Sequence, residues 1–323
     1  MHSPQQLLQL FEEYRSKHSF HYSPEELYEP IRYILDLGGK RMRPLLVLMG
    51  CDLFSGTMED ALPAAYAMEL FHNFTLVHDD IMDNASLRRN KPTVHEKFGI
   101  PRAILSGDVM ILYVYKFLQQ LEPEKFHKVI TLFNSSAIRV CEGQQYDWNF
   151  QNAREVSVKD YLKMIEFKTA ALLSCSLEVG AIIADADEVD AHHLFEFGRN
   201  IGICFQLLDD LLDAFGEQGK FGKKIGGDVA QNKKTYLHIK ALELAGGEDK
   251  EKLIFYSLNN VPSEEKVKHI LEIYRKLGVE KIVRDEALKF HSKALDNLKH
   301  IKAGEQRKQV LHDFAEALFK RQM

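Results

Sequence analysis

The 323-residue sequence is poor in several things that would mark a function class: it has four Cys, one Trp, and a net charge of only −5. Cys51, Cys141, Cys175 and Cys204 make neither a CxxC pair nor a zinc spacing. Their mostly apolar neighbours suit buried thiols in a reducing compartment, so a cytoplasmic protein is expected. With no excess of positive charge there is no footprint for nucleic acid. The N-terminus lacks a basic segment followed by an apolar core. It reads instead as an amphipathic helix with Leu7, Leu8, Phe11 and Tyr14 on one side, and no signal peptide is expected. The longest apolar stretch, Val109 to Leu118, is broken by Lys116 and reaches about half of the ~20 residues that span a bilayer. Neither GxxxxGK[ST] nor GxGxxG occurs, which removes the usual nucleotide loops. No Ser/Pro-rich linker, low-complexity tract or repeat of 20 to 50 residues divides the chain, so a solenoid is excluded and a single domain over residues 1–323 is expected.

What is present is an ordinary globular balance, 45% hydrophobic and 28% charged, enough to build a full core. Period-two alternation is almost missing, whereas apolar residues recur at three- and four-residue spacing, so the expected class is all-α, a large helical bundle. Ser23-Pro24-Glu25-Glu26 predicts a helix with Ser23 as N-cap, and Ser263 with two following glutamates predicts another. Stops are expected at Gly38-Gly39, Gly99-Ile100-Pro101, Gly216 to Gly227 and Gly246-Gly247. The apolar segments around residues 65 to 78, 102 to 118 and 170 to 184 are expected at the centre, with more amphipathic helices outside.

One pattern occurs twice: Asp79-Asp80-Ile81-Met82-Asp83 and Asp209-Asp210-Leu211-Leu212-Asp213. On a helix the first and last aspartates of each copy are four apart and share a face, which is half of a divalent-metal site. Acid placed to suit a helix N-terminus is the plainer explanation. Both copies follow long apolar runs, however, and so fall deep in or near the end of their helices. Like charges one turn apart destabilise a helix unless something neutralises them.

Three basic clusters accompany the acids. Gly38-Gly39-Lys40-Arg41-Met42-Arg43-Pro44 packs three cations after a glycine break. Arg88-Arg89 follows the first aspartates. Lys220, Gly222-Lys223-Lys224, Asp228 and Lys233-Lys234 lie beyond the second. Each cluster by itself reads as a solvated face, but their repeated position beside acid fits a metal-bridged diphosphate, in which Mg²⁺ takes oxygen from one or two carboxylates and from phosphate while Arg and Lys hold the remaining oxygens. A di-iron bundle would want a Glu-x-x-His pair on each of two helices, a pattern not found here.

The segments GGKRMRP, LVHDDIMDNASLRRNKPTVH, GDVMIL, EGQQYDW, FKTA, FQLLDDLLD and GKKIGGDVAQNKKTY follow one another along nearly the whole chain. In this order they resemble the trans-prenyl diphosphate synthases (polyprenyl synthetases). Asn232 departs from the family in standing where glycine is common, and the first acidic motif has two intervening residues where some bacterial farnesyl synthases have four. The resemblance implies the isoprenoid-synthase bundle around a central active-site cavity. It implies a prenyltransferase that condenses isopentenyl diphosphate head-to-tail with dimethylallyl, geranyl or farnesyl diphosphate. Asp79, Asp80, Asp83, Asp209 and Asp213, with Asp210 supporting, would hold three Mg²⁺ ions, which Mn²⁺ can replace. Arg88, Lys168 and Lys233 would contact the allylic diphosphate, and Lys40, Arg43, His72 and Arg89 isopentenyl diphosphate. Thr169 and Gln206 would flank the allylic cation. Without the family register, His72 reads as a core histidine and Gln206 as a buried amide. The departed diphosphate would take the proton, since no protein base is evident. Phe74 and Thr75 would help set the floor of the elongation pocket, which favours geranylgeranyl diphosphate with farnesyl diphosphate next. A homodimer is expected, because family members pair through central helices and Val109 to Leu118 is too apolar for one hidden face. The competing functions are a class I terpene cyclase, for which GGKRMRP would be superfluous, and a non-catalytic subunit of a heteromeric synthase, which would tend to lose the acidic motifs.

Overall fold

The computed structural model describes residues 1–216, 225–258 and 261–320. The expected anion-site residues Lys220, Gly222, Lys223 and Lys224 lie outside the described residues. In chain order the helices are α1 Pro4–Lys17, α2 Glu25–Asp36, α3 Met42–Leu53, α4 Met58–Met82, α5 Val94–Phe98, α6 Ile100–Leu118, α7 Pro123–Asn152, α8 Val158–Ile165, a π-helical turn Glu166–Ala170, α9 Ala171–Ile183, α10 Glu188–Phe215, α11 Gly227–Ala230, α12 Tyr236–Leu244, α13 Gly247–Leu258, α14 Ser263–Lys276, α15 Val279–His300 and α16 Glu305–Lys320. The class is all-α. Among the described residues the strands are two dipeptides, β1 Leu87–Arg88 and β2 Lys91–Pro92, paired antiparallel with Arg88 opposite Lys91.

Two compact units can be described. The first comprises Met1–Ser135, Leu172–Phe195 and His300–Leu311, and its core is built on α3 and α4. Every residue of α4 from Ala61 to Phe71 is buried, as is every residue of α3 from Pro44 to Leu53, so these helices are apolar all round because they are covered all round. α9 packs backbone to backbone on α3: a Cβ at Gly50 would strike the Leu177 carbonyl and one at Gly180 the Val47 carbonyl, so small residues set this separation.

α6 departs from the expectation of a central helix. Ala103, Ser106, Gly107, Met110, Val114 and Phe117 are buried, yet Leu105 is 55% and Leu112 65% exposed on the remaining surface. The helix is apolar on both faces, and this chain covers one. Two caps also sit one residue from where they are expected: α2 starts at Glu25 with Pro24 in extended conformation at the cap, one residue later, and α14 starts at Ser263 behind Pro262, one residue earlier.

The second unit comprises the described residues within Ser136–Ala171, Glu196–Lys299 and His312–Met323. Leu207, Leu208 and Leu211 of α10 pack with Tyr161, Tyr236, Ile270, Tyr274 and Val283 in its core. Truncating one such leucine costs about 2–5 kcal/mol. That packing fixes α10, and so fixes which faces its aspartates present. No helix among the described residues is long and apolar enough to cross a membrane.

Candidate active site

The first unit carries the first acidic motif on the closing turn of α4, with Asp83 as its C-cap. A helix C-terminus bears the negative end of the dipole, so three carboxylates there raise a local demand for cations. The three do not share one environment. Asp83 is exposed and Asp79 half-buried. Asp80 is 1% exposed and receives a two-pronged contact from Arg88, Nε to Oδ2 and Nη2 to Oδ1, both 2.7 Å. Arg88 comes from β1, whose hairpin turns on Arg89 and Asn90 with φ of 53° and 61°. Both central residues of such a tight turn need positive φ, a cost for non-glycine side chains that often accompanies function.

The Arg89 guanidinium lies against Gly39, where an added Cβ would be 2.5 Å from Nη2. With φ of 131° the backbone here strains any L side chain, and an added Cβ would also have to displace the guanidinium. The glycine break thus brings the GGKRMRP loop to the hairpin. Arg41, in left-handed conformation, anchors that loop: it is 7% exposed and donates Nη1 to Glu69 at 2.5 Å, Nη2 to the Leu35 carbonyl at 2.5 Å and Nε to Glu12 at 3.2 Å. Arg43 reaches the same neighbourhood. Burial pushes its pKa down to about 10, Glu69 opposing and Arg89 adding, so it remains a cation at neutral pH. Its Nε is buried without a hydrogen-bond partner among the described residues, a donor left over for an anion. Burial, then Arg43, Arg89, Arg88 and Arg41 in turn, hold the His72 ring well below its usual range, and His72 therefore serves as a neutral imidazole. Lys40 is exposed on the loop. Phe74 is half-buried, its ring 5.7 Å from Phe71 and 4.6 Å from His78, and the Thr75 hydroxyl donates to the His72 carbonyl at 2.8 Å.

The second unit carries the second motif near the end of α10. Asp209 and Asp213 are half-buried and Asp210 is 4% exposed. The turn Gly226-Gly227-Asp228 closes on Asp213: the Gly226 amide donates to its carbonyl at 2.7 Å and the Asp228 amide to Oδ2 at 2.9 Å. Lys233 pairs with Asp228 at 3.1 Å. Asp210 accepts from the Tyr161 hydroxyl at Oδ2 and from Gln206 Nε2 at Oδ1, 2.9 Å, while Gln206 Oε1 accepts from the Thr169 hydroxyl at 3.0 Å. Burial, helped by Asp228, pushes the Asp210 carboxyl well above the usual range against these two hydrogen bonds.

Thr169 and Lys168 sit on the π-helical turn, a feature that recurs at functional sites. Lys168 Nζ pairs with Asp147 of α7 at 2.5 Å. Gly143, one turn before Asp147, lets the helices touch, since a Cβ there would strike the Lys168 amide nitrogen.

The structure therefore brings together Arg43, His72, Arg88 and Arg89 in one unit, and Lys168 with Asp147, and Thr169 with Gln206 and Asp210, in the other. Sequence reasoning named Arg41 and Asp228 within the basic clusters without giving either a role of its own, and missed Glu69, Asp147 and Tyr161. Glu69 is one turn before His72, and Asp147 and Asp228 lie inside the quoted motifs, so a signal existed for these. Tyr161, seven residues before Lys168, gave none. Carboxylate oxygens at two helix C-terminal ends suit a hard cation such as Mg²⁺, which takes the rest of its shell from water and phosphate. Among the described residues no three His, Cys, Asp or Glu side chains are grouped closely enough to close a cage.

A polyprenyl synthetase family model matches residues 24–274. The chain is 40% identical over 252 residues to a short chain isoprenyl diphosphate synthase of Methanocaldococcus jannaschii, covering 78% of this chain and 77% of that one. It is 39% identical over 281 residues to a geranylgeranyl diphosphate synthase of Sulfolobus acidocaldarius, covering 85% and 84%. A crystal structure of a geranylgeranyl pyrophosphate synthase superposes with a TM-score of 0.95 at 41% identity, covering 99% of both chains. Motif order, helical architecture and likeness over nearly the full length agree: this chain belongs to the polyprenyl synthetase family and is a prenyltransferase.

Proposed function

We propose that the chain condenses isopentenyl diphosphate head-to-tail with an allylic diphosphate to give geranylgeranyl diphosphate, farnesyl diphosphate being the next candidate. The observation that carries this reading is the joining of Arg43, His72 and Arg89 beside the glycine loop, in addition to two acidic motifs. A cyclase ionises one diphosphate and has no use for that second cationic pocket. Asp79, Asp83, Asp209 and Asp213 are proposed to hold Mg²⁺ on the allylic diphosphate, while Asp80 and Asp210, both of whose carboxylate oxygens accept side-chain hydrogen bonds, brace them. Bound Mg²⁺ supplies Lewis-acid stabilisation of charge on the leaving diphosphate.

The remaining steps fall to side chains. Arg88, Lys168 and Lys233 face the allylic diphosphate and stabilise the negative charge that grows as the carbon–oxygen bond breaks, the electron pair leaving with oxygen. Lys40, Arg43, His72 and Arg89 hold isopentenyl diphosphate so that its double bond attacks the allylic carbon. Thr169 and Gln206 present oxygen dipoles to the cation, and the departed diphosphate takes the proton lost in forming the new double bond. Apolar surroundings keep water from quenching the cation. Phe74 and Thr75 limit chain growth, and the exposed apolar face of α6 supports a homodimer. Purified protein incubated with labelled isopentenyl diphosphate and each allylic primer in turn should accumulate the twenty-carbon diphosphate. Cyclic hydrocarbon from one substrate alone, or no condensation with any primer, would overturn the proposal.

A further inference from the structure

Lys266 of α14 is 3% exposed, and its ammonium is held by two neutral oxygens: it donates to Asn232 Oδ1 and, at 3.3 Å, to the Ala230 carbonyl. A buried cation facing neutral acceptors is costly, so stability is a poor reason for it. Burial, then Lys234, hold its pKa below the usual lysine range, a sign of that cost. We propose that Lys266 is a positioning residue for the allylic diphosphate: by clamping Asn232 it fixes the turn that aims Lys233, resting on the role given to Lys233 above.

The turn is defined by its hydrogen bonds. α11 is followed by Asn232 in left-handed conformation, φ 59°, the Asn232 amide donating to the Val229 carbonyl at 3.2 Å and the Lys233 amide to the Asp228 carbonyl at 3.0 Å. These two bonds are the closure by which a helix commonly stops on a left-handed residue, a place glycine usually takes because a side chain there is strained. Asparagine tolerates that conformation without being fixed in it. The ammonium removes the freedom. It can only donate, so the Asn232 amide must turn its oxygen to Lys266, and the same cation takes the Ala230 carbonyl, one of the four at a helix end that lack a partner within the helix. One charge thus grips the last turn of α11 and the residue that reverses the chain after it. The next residue is Lys233, whose Nζ pairs with Asp228 Oδ1 at 3.1 Å. α14 is a firm base for the clamp. Ile270 and Tyr274, one and two turns along the same face, are buried in the core of this unit, and a Cβ on Gly226, where the loop enters α11, would lie 2.5 Å from Val267 Cγ1. The loop is therefore seated on α14 at both ends.

The test is steady-state kinetics of each substrate at saturating Mg²⁺. Lys266→Met keeps the stem and removes the ammonium. It should raise the KM of the allylic diphosphate by about 5–20-fold, a part of what outright loss of a charge-assisted contact costs, while the KM of isopentenyl diphosphate stays within about 2-fold and the Tm holds or rises. Adding Asn232→Gly should bring the allylic KM back to within about 3-fold of the parent protein, since glycine takes the left-handed turn unaided. On Lys233→Ala, Lys266→Met should be silent within about 2-fold, because Lys266 acts through a side chain that is no longer there. If Lys266→Met fails to fold, Asn232→Ala removes the acceptor from the other side and should show the same rise and the same silence. An unchanged allylic KM in the single variant, no recovery with Asn232→Gly, equal rises for both substrates with a falling Tm, or effects that multiply with Lys233→Ala would overturn the proposal. An unchanged allylic KM for Lys233→Ala would instead remove the role of Lys233, and a parent protein that condenses no primer would remove the reaction itself, the proposal falling with either.

Discussion

Asp80→Ala and Asp83→Ala alter one acidic motif, three residues apart, and should fail in different ways. Asp80 is 1% exposed and loses two charge-assisted bonds of 2.7 Å from Arg88. Each such bond contributes about 1.5–3 kcal/mol, but the Arg88 side chain is 28% exposed and regains some hydration when released. The net loss should be about 2–4 kcal/mol, part of it the cost of a half-solvated guanidinium without its partner. For a chain of this size that corresponds to a fall in Tm of about 4–8 °C. Asp83 is exposed at the C-cap, where removing a negative charge relieves repulsion, and its Tm should stay within about 1 °C. Its turnover should nonetheless fall by about 100-fold or more if it ligates metal. Thermal melts in chelator without substrate keep ligand binding out of the comparison. An unchanged Tm for Asp80→Ala, or an equal fall for Asp83→Ala, would refute the division of the motif into a bracing and a ligating carboxylate.

Four further outcomes are expected. Full chelation should abolish turnover and added Mg²⁺ restore it; activity surviving chelation would exclude metal dependence. Phe74→Ala should lengthen the products read by chromatography, each extra buried CH₂ being favoured by ~0.8 kcal/mol, whereas Phe71→Ala added to it also breaks the contact with Phe133 at 5.1 Å and should lower stability by about 3–5 kcal/mol; an unchanged chain length from Phe74→Ala would move the floor elsewhere. Leu112→Glu, at a position 65% exposed, should convert a dimer into monomer by light scattering; a parent that is already monomeric would contradict the homodimer. Burial, with Lys234 and Lys266 adding, pushes the His238 ring down to about 4, below the ~6.5 of an unfolded chain, so protons favour the unfolded state: stability should be flat above about pH 6.5 and decline by up to about 3 kcal/mol towards pH 4, a decline smaller in His238→Gln.

Both acidic motifs were legible because helical spacing is local: residues four apart must share a face whatever surrounds them. Asp80 and Asp210, each one residue on and so about 100° around, were equally plain as residues, but their fate was not, because Arg88 is eight residues away and Tyr161 forty-nine. The distinction between bracing and ligating lies in tertiary partners. The same holds for α6, whose composition says that both faces are apolar but not which one the chain covers. Gly39 was legible as a break, whereas the need to admit Arg89 was not. Period reasoning also has no word for the hairpin at Arg89-Asn90, which lacks the usual turn glycine, or for the wide turn at Glu166–Ala170.

That wide turn carries a consequence for tolerance to length change. A π-helical turn is an α-helix that has taken in one surplus residue, so the five residues from Glu166 to Ala170 close a loop one unit larger than their neighbours. Removing any one of them would let the backbone heal into a regular helix, an outcome that local energetics welcome. The flanking helices would keep their register, but the side chains within the turn would be redistributed around the helix face. Lys168 would swing off Asp147 or Thr169 off Gln206, with no side chain altered elsewhere. Deletions are usually feared for breaking a helix; here the danger is a deletion that perfects one.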